Sequence, residues 1–191
     1  MRHVRQLVVR HRALDPTAWT ALHALAQGRS TASALARADL WEFEWEGDSA
    51  VAERLAAWAR TANWFANPNR DRATWRRTDA DATDLESGAA RVSGESGARG
   101  RGAYLVTTWR GAARSHEHEA AATRALGVAV RVRHGQVWWL AAEGADPERA
   151  LHDAGGAERG GLLANPHSQE AHVFGASLPV PAMAVPGEEE P

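Results

Sequence analysis

The sequence predicts an α+β fold made of two copies of one β-α-β-β-α-β unit, and three observations predict it. First, the tripeptide Ala-Asn-Pro occurs at Ala66-Asn67-Pro68 and again 98 residues later at Ala164-Asn165-Pro166. Each follows an apolar helical run and precedes a short strand-like one. Second, the same offset carries Leu7-Val8 onto Leu105-Val106, Arg12 onto Arg110, Thr17 onto Ser115 and Ala73 onto Ala171. Glu46-Gly47-Asp48 meets Glu143-Gly144-Ala145-Asp146 with one residue inserted. Shared landmarks in one order at nearly one spacing indicate an internal duplication, and two copies make a pair rather than a solenoid. Third, Trp41, Phe43 and Trp45 alternate with Glu42, Glu44 and Glu46, the period-two pattern of a strand with one apolar and one acidic face.

The elements of the first copy, residues 1–77, follow in order. "VRQLVVRH" is rich in Val and Leu and reads as a strand. Leu14-Asp15-Pro16 opens a helix with Ala18, Leu22 and Leu25 on one face, and Thr17 stands where an N-cap residue is wanted. "SALARADLWEFEWEGD" reads as a hairpin. Asp48 or Ser49 caps a second helix whose stripe is Val51, Leu55, Trp58, Ala62 and Phe65. Asn67-Pro68 stops it, because proline disfavours helical geometry in the residue before it. "RATWR" closes the unit as a short strand.

The second copy, residues 103–175, reads the same way. Val128, Val130 and Val132 form a strand, His134-Gly135 a turn, and "QVWWLA" the return. Its second helix follows Asp146-Pro147 and contains Gly155, Gly156, Gly160 and Gly161. Each interior glycine costs about 1 kcal/mol relative to alanine, so this helix is expected to be broken or frayed. Residues 78–102, polar and rich in Gly and Ser, read as a flexible linker, and 176–191 as a Pro/Glu-rich tail. The strand and helix order, taken twice, is a ferredoxin-like plan with helices on one face of an antiparallel sheet.

Composition narrows the function. The chain of 191 residues has no cysteine, which excludes disulfides, thiolate metal sites and a cysteine nucleophile. All 22 basic residues are arginine, yet the net charge is −2, so no global basic field suits nucleic acid. The glutamates beside Trp41 and Trp45 also oppose single-strand stacking, which needs a basic groove. Charges break up the apolar patch of "MRHVRQLVVRHR", and no run approaches the ~18 residues of a membrane span. A cytoplasmic protein with no membrane contact is expected. Trp138 and Trp139 are neighbours in one strand and must point to opposite faces, so both faces of the sheet carry large apolar groups. Such a sheet needs a second layer or a partner on its other side.

Catalytic and metal-binding patterns are weak. In His116-Glu117-His118-Glu119 the histidines are two apart, so on a helix they diverge and do not share an ion. A zinc-protease helix places them four apart. The other histidines show no ligand spacing, and no G-x-S-x-G, P-loop or G-x-G-x-x-G is present. The reading is a non-catalytic protein with no cofactor and no metal.

The residues resemble one family, the small PurS subunit of phosphoribosylformylglycinamidine synthase. "VVRHRALDPTAW" is similar to its first strand and Leu-Asp-Pro helix start; "VAVRVRHGQVWWL" is similar to its hairpin with a Val-Arg-x-Gly turn. "LLANP" resembles the end of its second helix, and "FANP" is a looser version. Copy one departs at "ARADLW", where the turn motif is missing, and copy two has Arg114-Ser115 in place of Leu-Asp-Pro and Gln136 where lysine is usual. The resemblance implies an accessory subunit that is not itself the catalyst of this ATP- and glutamine-dependent ligase. Such subunits associate as dimers and bridge the glutaminase and synthetase subunits in de novo purine synthesis. A tandem would stand in for the homodimer. The contact positions are taken as Asp15, Pro16, Asn67, Pro68, Arg133, His134, Gly135, Asn165 and Pro166. The alternative from a different class is a tandem ferredoxin-like module that binds a small regulatory ligand between its copies.

Overall fold

A computed structural model describes residues 1–28, 30–76, 101–109, 115–142, 146–155 and 161–175. In chain order the elements are β1 (Arg2–His11), α1 (Pro16–Gln27), β2 (Ala32–Glu46), α2 (Val51–Thr61), β3 (Asp71–Arg76), β4 (Arg101–Trp109), α3 (His116–Leu126), β5 (Val130–Ala142), α4 (Pro147–Gly155) and β6 (Gln169–Phe174). The fold is α+β: the described residues form four helices and a six-stranded antiparallel sheet in the order β3-β1-β2-β5-β4-β6. Almost all of the stretch read as a linker and the whole of the tail lie outside the described residues, as do residues 156–160 beyond the end of α4.

Three expectations are corrected here. The second helix ends at Thr61 rather than running through Phe65 to Asn67-Pro68. The run read as a hairpin at "SALARADLWEFEWEGD" is one 15-residue strand, β2. The turn expected at His134-Gly135 does not exist either, because β5 runs unbroken from Val130 to Ala142, with His134 opposite Trp41 and Gly135 opposite Leu40. Each half is therefore β-α-β-α-β rather than β-α-β-β-α-β. The physical reason is pairing. A two-residue hairpin turn requires a positive φ, and Gly135 is not among the glycines that have one. Continuous alternation lets both long strands hydrogen-bond along their whole length instead.

The registers of the two halves correspond. Leu7 faces Trp41 as Leu105 faces Trp138, Val9 faces Asp39 as Thr107 faces Gln136, and Ala73 faces Val9 as Ala171 faces Thr107. The 98-residue offset of the outer strands becomes 97 in the central pair. The first helices are displaced further: the buried pairs Ala21/Leu25 of α1 and Ala122/Leu126 of α3 set Thr17 level with His118, not with Ser115.

The helices cross between halves. One cluster joins Val51, Leu55 and Ala59 of α2 to Ala122 and Leu126 of α3, over Leu7, Trp41, Phe43, Trp45, Val130 and Val132. The other joins Ala18, Ala21 and Leu25 of α1 to Leu151 and Ala154 of α4, over Leu35, Leu105, Trp138 and Leu140. Each core thus draws on both halves. At ~25 cal/mol per Å² of apolar surface, exposing either shared seam would remove a main source of stability.

The opposite face carries a third cluster, Val8, Ala34, Ala36, Ala38, Leu40, Tyr104, Val106, Val137, Trp139 and Ala141, all on strands among the described residues. Trp138 and Trp139 do point to opposite faces. Gly102 is required here by close approach, since a Cβ would stand 2.6 Å from Trp139 Nε1. Beside this cluster a polar row crosses four strands, with Arg76 opposite Gln6, Gln6 opposite Glu42 and Glu42 opposite Arg133. Gln6 Nε2 donates to Glu42 at 2.9 Å, and Arg133 donates to Glu44 at 2.7 Å. Burial alone would raise the Glu44 pKa, but hydrogen bonds from Arg2 and Arg133 outweigh it and hold the carboxyl below its usual range.

Candidate functional site

The centre of the helix face is the place to look, because the halves meet there. Asp39 of β2 lies opposite Gln136 of β5. Antiparallel pairing gives a local two-fold axis through this pair, normal to the sheet. The axis exchanges Arg37 with His134 and Trp41 with Trp138. On each side of it a cation-capable side chain therefore lies across from a tryptophan: His134 from Trp41, Arg37 from Trp138.

On the first side the space is filled by rings. The His134 ring stacks on Trp41 at 4.1 Å between centroids, 17° from parallel. Phe65 meets Trp41 edge-on at 5.0 Å, and His118 lies 4.9 Å from it. Phe65 also contacts Phe43, Trp58 and His118, and Trp64 closes over His118 at 5.9 Å. Edge-to-face geometry suits aromatic quadrupoles, and each such pair adds about 0.5–1.5 kcal/mol beyond area burial.

On the second side there is an open cleft of about 850 Å³ between α1 and residues 161–169. Thr17, Thr20, Ala21 and Ala24 form one wall, Leu162 to His167 the other, and Arg37, Trp109, Gln136 and Trp138 the floor. Leu162 and Leu163 stand where Trp64 and Phe65 stand on the first side, and Thr17 stands where His118 does. Arg37 is held from two directions: its Nε donates to Asp15 Oδ2 at 3.0 Å, and its guanidinium carbon lies 5.9 Å from the Trp138 ring. The other Asp15 oxygen accepts the Thr17 and Ala18 N–H groups at 2.8 and 3.3 Å. Asp15 is therefore the N-cap of α1, with Pro16 at the first helical position and Thr17 inside the helix rather than capping it.

Between the two sides, His134 Nε2 is 3.9 Å from Asp39 Oδ1, too long for a hydrogen bond but close enough for charge to matter. Burial alone would raise the Asp39 pKa. The neighbouring His134 and Arg37, with Gln136, outweigh that and hold the carboxyl below its usual range.

The two Asn-Pro segments have one geometry. Asn67 Oδ1 accepts the Asn69 N–H, and Asn165 Oδ1 the His167 N–H, both at 3.0 Å. The Asn67 N–H donates to Asp71 Oδ2 at 2.9 Å, and the Asn165 N–H to Gln169 Oε1 at 2.8 Å. The asparagine carbonyls accept the Asp71 and Gln169 N–H groups, both at 2.7 Å. These are Asx turns that aim the chain into β3 and β6. One bracing side chain is ionisable and the other is not. Burial alone would raise the Asp71 pKa, but Arg70 and the Asn67 N–H outweigh it, with His11 adding to the effect, and hold it low.

The residues expected to make partner contacts fall in three places. Asp15, Pro16, Asn165 and Pro166 gather at the open cleft, with Asp15 buried. His134 lies in the ring-filled region beside Trp41, and Asn67 and Pro68 are exposed at its turn. Arg133 and Gly135 point to the opposite face, where Arg133 is tied to Glu42 and Glu44. Sequence reasoning missed Arg37, Asp39, Trp109 and Gln136. The equal placing of Trp41 and Trp138 in the two halves was the available signal. In the His116–Glu119 run, His116 pairs with Glu119 at 3.4 Å while His118 turns to the rings. Among the described residues no three His, Asp or Glu side chains converge as a metal would require. None of their helices is long and apolar enough to cross a membrane. No family model matches the chain, and neither a curated protein nor a solved structure does.

Proposed function

We propose that the chain is a tandem PurS-like subunit, non-catalytic itself, that bridges a glutaminase and a synthetase subunit of phosphoribosylformylglycinamidine synthase in cytoplasmic purine biosynthesis. The observation that carries this reading is the correspondence of the two strand registers, which supports an internal duplication closed into one sheet. A covalent pair of this kind replaces a homodimer and offers two related but unequal faces to two different partners. The experiment is a pull-down of the tagged full chain from its own host, with and without glutamine and ADP. Recovery of both a glutaminase and a synthetase subunit is the expected result. Recovery of neither from cells actively making purines would sink the reading.

A second reading, a tandem ferredoxin-like module that takes a small ligand between its halves, is favoured by the open cleft beside the central strand pair. It predicts ligand-dependent stabilisation without a synthase partner.

A further inference from the structure

We propose that the cleft between α1 and residues 161–169 binds an uncharged, flat heteroaromatic ring system of one or two rings. The inference rests on the second reading above in placing a ligand there, and goes beyond it in naming the class.

The related space on the first side of the sheet is already occupied. The protein fills that space with its own flat rings, Phe65, His118 and His134 around Trp41, with Trp64 over the top. On the second side the corresponding side chains are Leu163, Thr17, Arg37 and Leu162 around Trp138. Three of the four ring positions there are aliphatic or hydroxyl-bearing, and the fourth is a guanidinium. The backbone frame is the same, with matching Asx turns and matching strand registers, so space that rings occupy on one side is left open on the other. Rings fit one frame and are absent from its counterpart.

The lining sets the polarity of the occupant. Trp109 and Trp138 on the floor and Ala21 and Leu163 on the walls give apolar surface, which favours a flat aromatic body. Thr17 and Gln136 place a hydroxyl and an amide beside them, able to donate to or accept from ring heteroatoms. The charge of Arg37 is already balanced by Asp15 at 3.0 Å. An anionic ligand would have to compete with that carboxylate, and a cationic one would meet the guanidinium, so neutrality is preferred.

The test titrates indole and benzimidazole, separately, into the full-length protein at neutral pH. The readout is the NMR resonances of the Arg37 Nε–H and the tryptophan indole N–H groups. The expected result is saturable, fast-exchange shifts of the Arg37 and Trp138 signals by at least one probe. Two variants locate the site. Thr17→His restores the ring found at the matching helix position on the first side, and Thr20→Trp fills the cleft from the next turn of α1. Both positions are exposed, and the Thr17 backbone N–H that Asp15 accepts is kept. Each variant should weaken binding at least tenfold while its denaturation midpoint stays near the wild-type value. If one is unstable, the other decides. Failure of both probes to saturate, or unchanged affinity in a folded variant, overturns the proposal. Neither outcome bears on the bridging reading, which is judged by co-purification.

Discussion

The two sides of the central strand pair share a frame and differ in filling. Around Trp41 the protein closes the space with Phe65, His118 and His134. Around Trp138 it leaves a cleft of about 850 Å³. The difference comes from few side chains, since Phe65 gives way to Leu163, Trp64 to Leu162 and His118 to Thr17, while the turns and strand pairing are kept. The lesson is that a shared frame specifies where a cleft can be, and side-chain volume alone decides whether it is one. Interiors pack to near-crystalline density, so a ring replaced by a smaller group leaves space that the backbone does not close.

The largest effects test whether the filled side bears more of the stability. Phe65→Ala should lower stability by about 3–5 kcal/mol in urea unfolding, because four aromatic neighbours lose their partner and the cavity is enclosed. Leu163→Ala should fall at the lower end of the ~2–5 kcal/mol range, because its void opens into an existing cleft. Equal losses would break the comparison.

An intermediate effect is expected at the mouth of the open side. Asp15→Ala removes the α1 cap, about 1 kcal/mol, and also leaves Arg37, only 16% exposed at its side chain, without its carboxylate. A total of roughly 1–3 kcal/mol is expected. Asp15→Asn keeps an acceptor for the helix N–H groups and should recover the capping part only. If Asp15→Ala and Asp15→Asn were equally destabilised, the cap would carry none of the effect.

The smallest effect at neutral pH, and the sharpest contrast between halves, is expected in acid. Asp71 braces the first Asx turn and Gln169 the second. The folded-state pKa of Asp71 is depressed, so its contribution is complete above the unfolded value of about 3.9 and is lost as pH falls through the lower folded value. Asp39 and Glu44 are depressed too and add to the same acid loss. Asp71→Asn should change stability by about 1 kcal/mol or less at pH 7 and make it fall less steeply in acid. Asn67 amide shifts should move with pH in this range while those of Asn165 stay still. Parallel movement of both would mean that the turns are not separately braced.

How much of this was legible in the sequence differs by element. The Asn-Pro pairs were readable as turns, because an Asx turn needs only an asparagine in a chain that has left the helix, but Asn67-Pro68 is not the helix stop, since α2 already ends at Thr61. Asp15-Pro16 was readable as a helix start for the same local reason. The stripe Val51, Leu55, Trp58, Ala62 and Phe65 and the alternation Trp41, Phe43, Trp45 identified one packed face: Trp58 and Ala62 are half-buried against it and the other six are buried. His134-Gly135 misled because glycine beside a polar residue is a turn signal, and only pairing with Trp41 and Leu40 overrides it. Nothing local to Asp39 announces that Gln136 will lie opposite it.

The sequence by itself determined the α+β class, the repeated landmarks, where the helices begin, and that Trp41, Phe43 and Trp45 share one buried face while Trp138 and Trp139 point to opposite ones. These follow from periods of two and 3.6 residues and from caps a few residues away. Tertiary structure alone decided that the long strands run unbroken, that α1 packs with α4 and α2 with α3, and that one of two matching spaces stays open. Those outcomes depend on volumes and pairings contributed by residues a hundred positions apart, which no local pattern encodes.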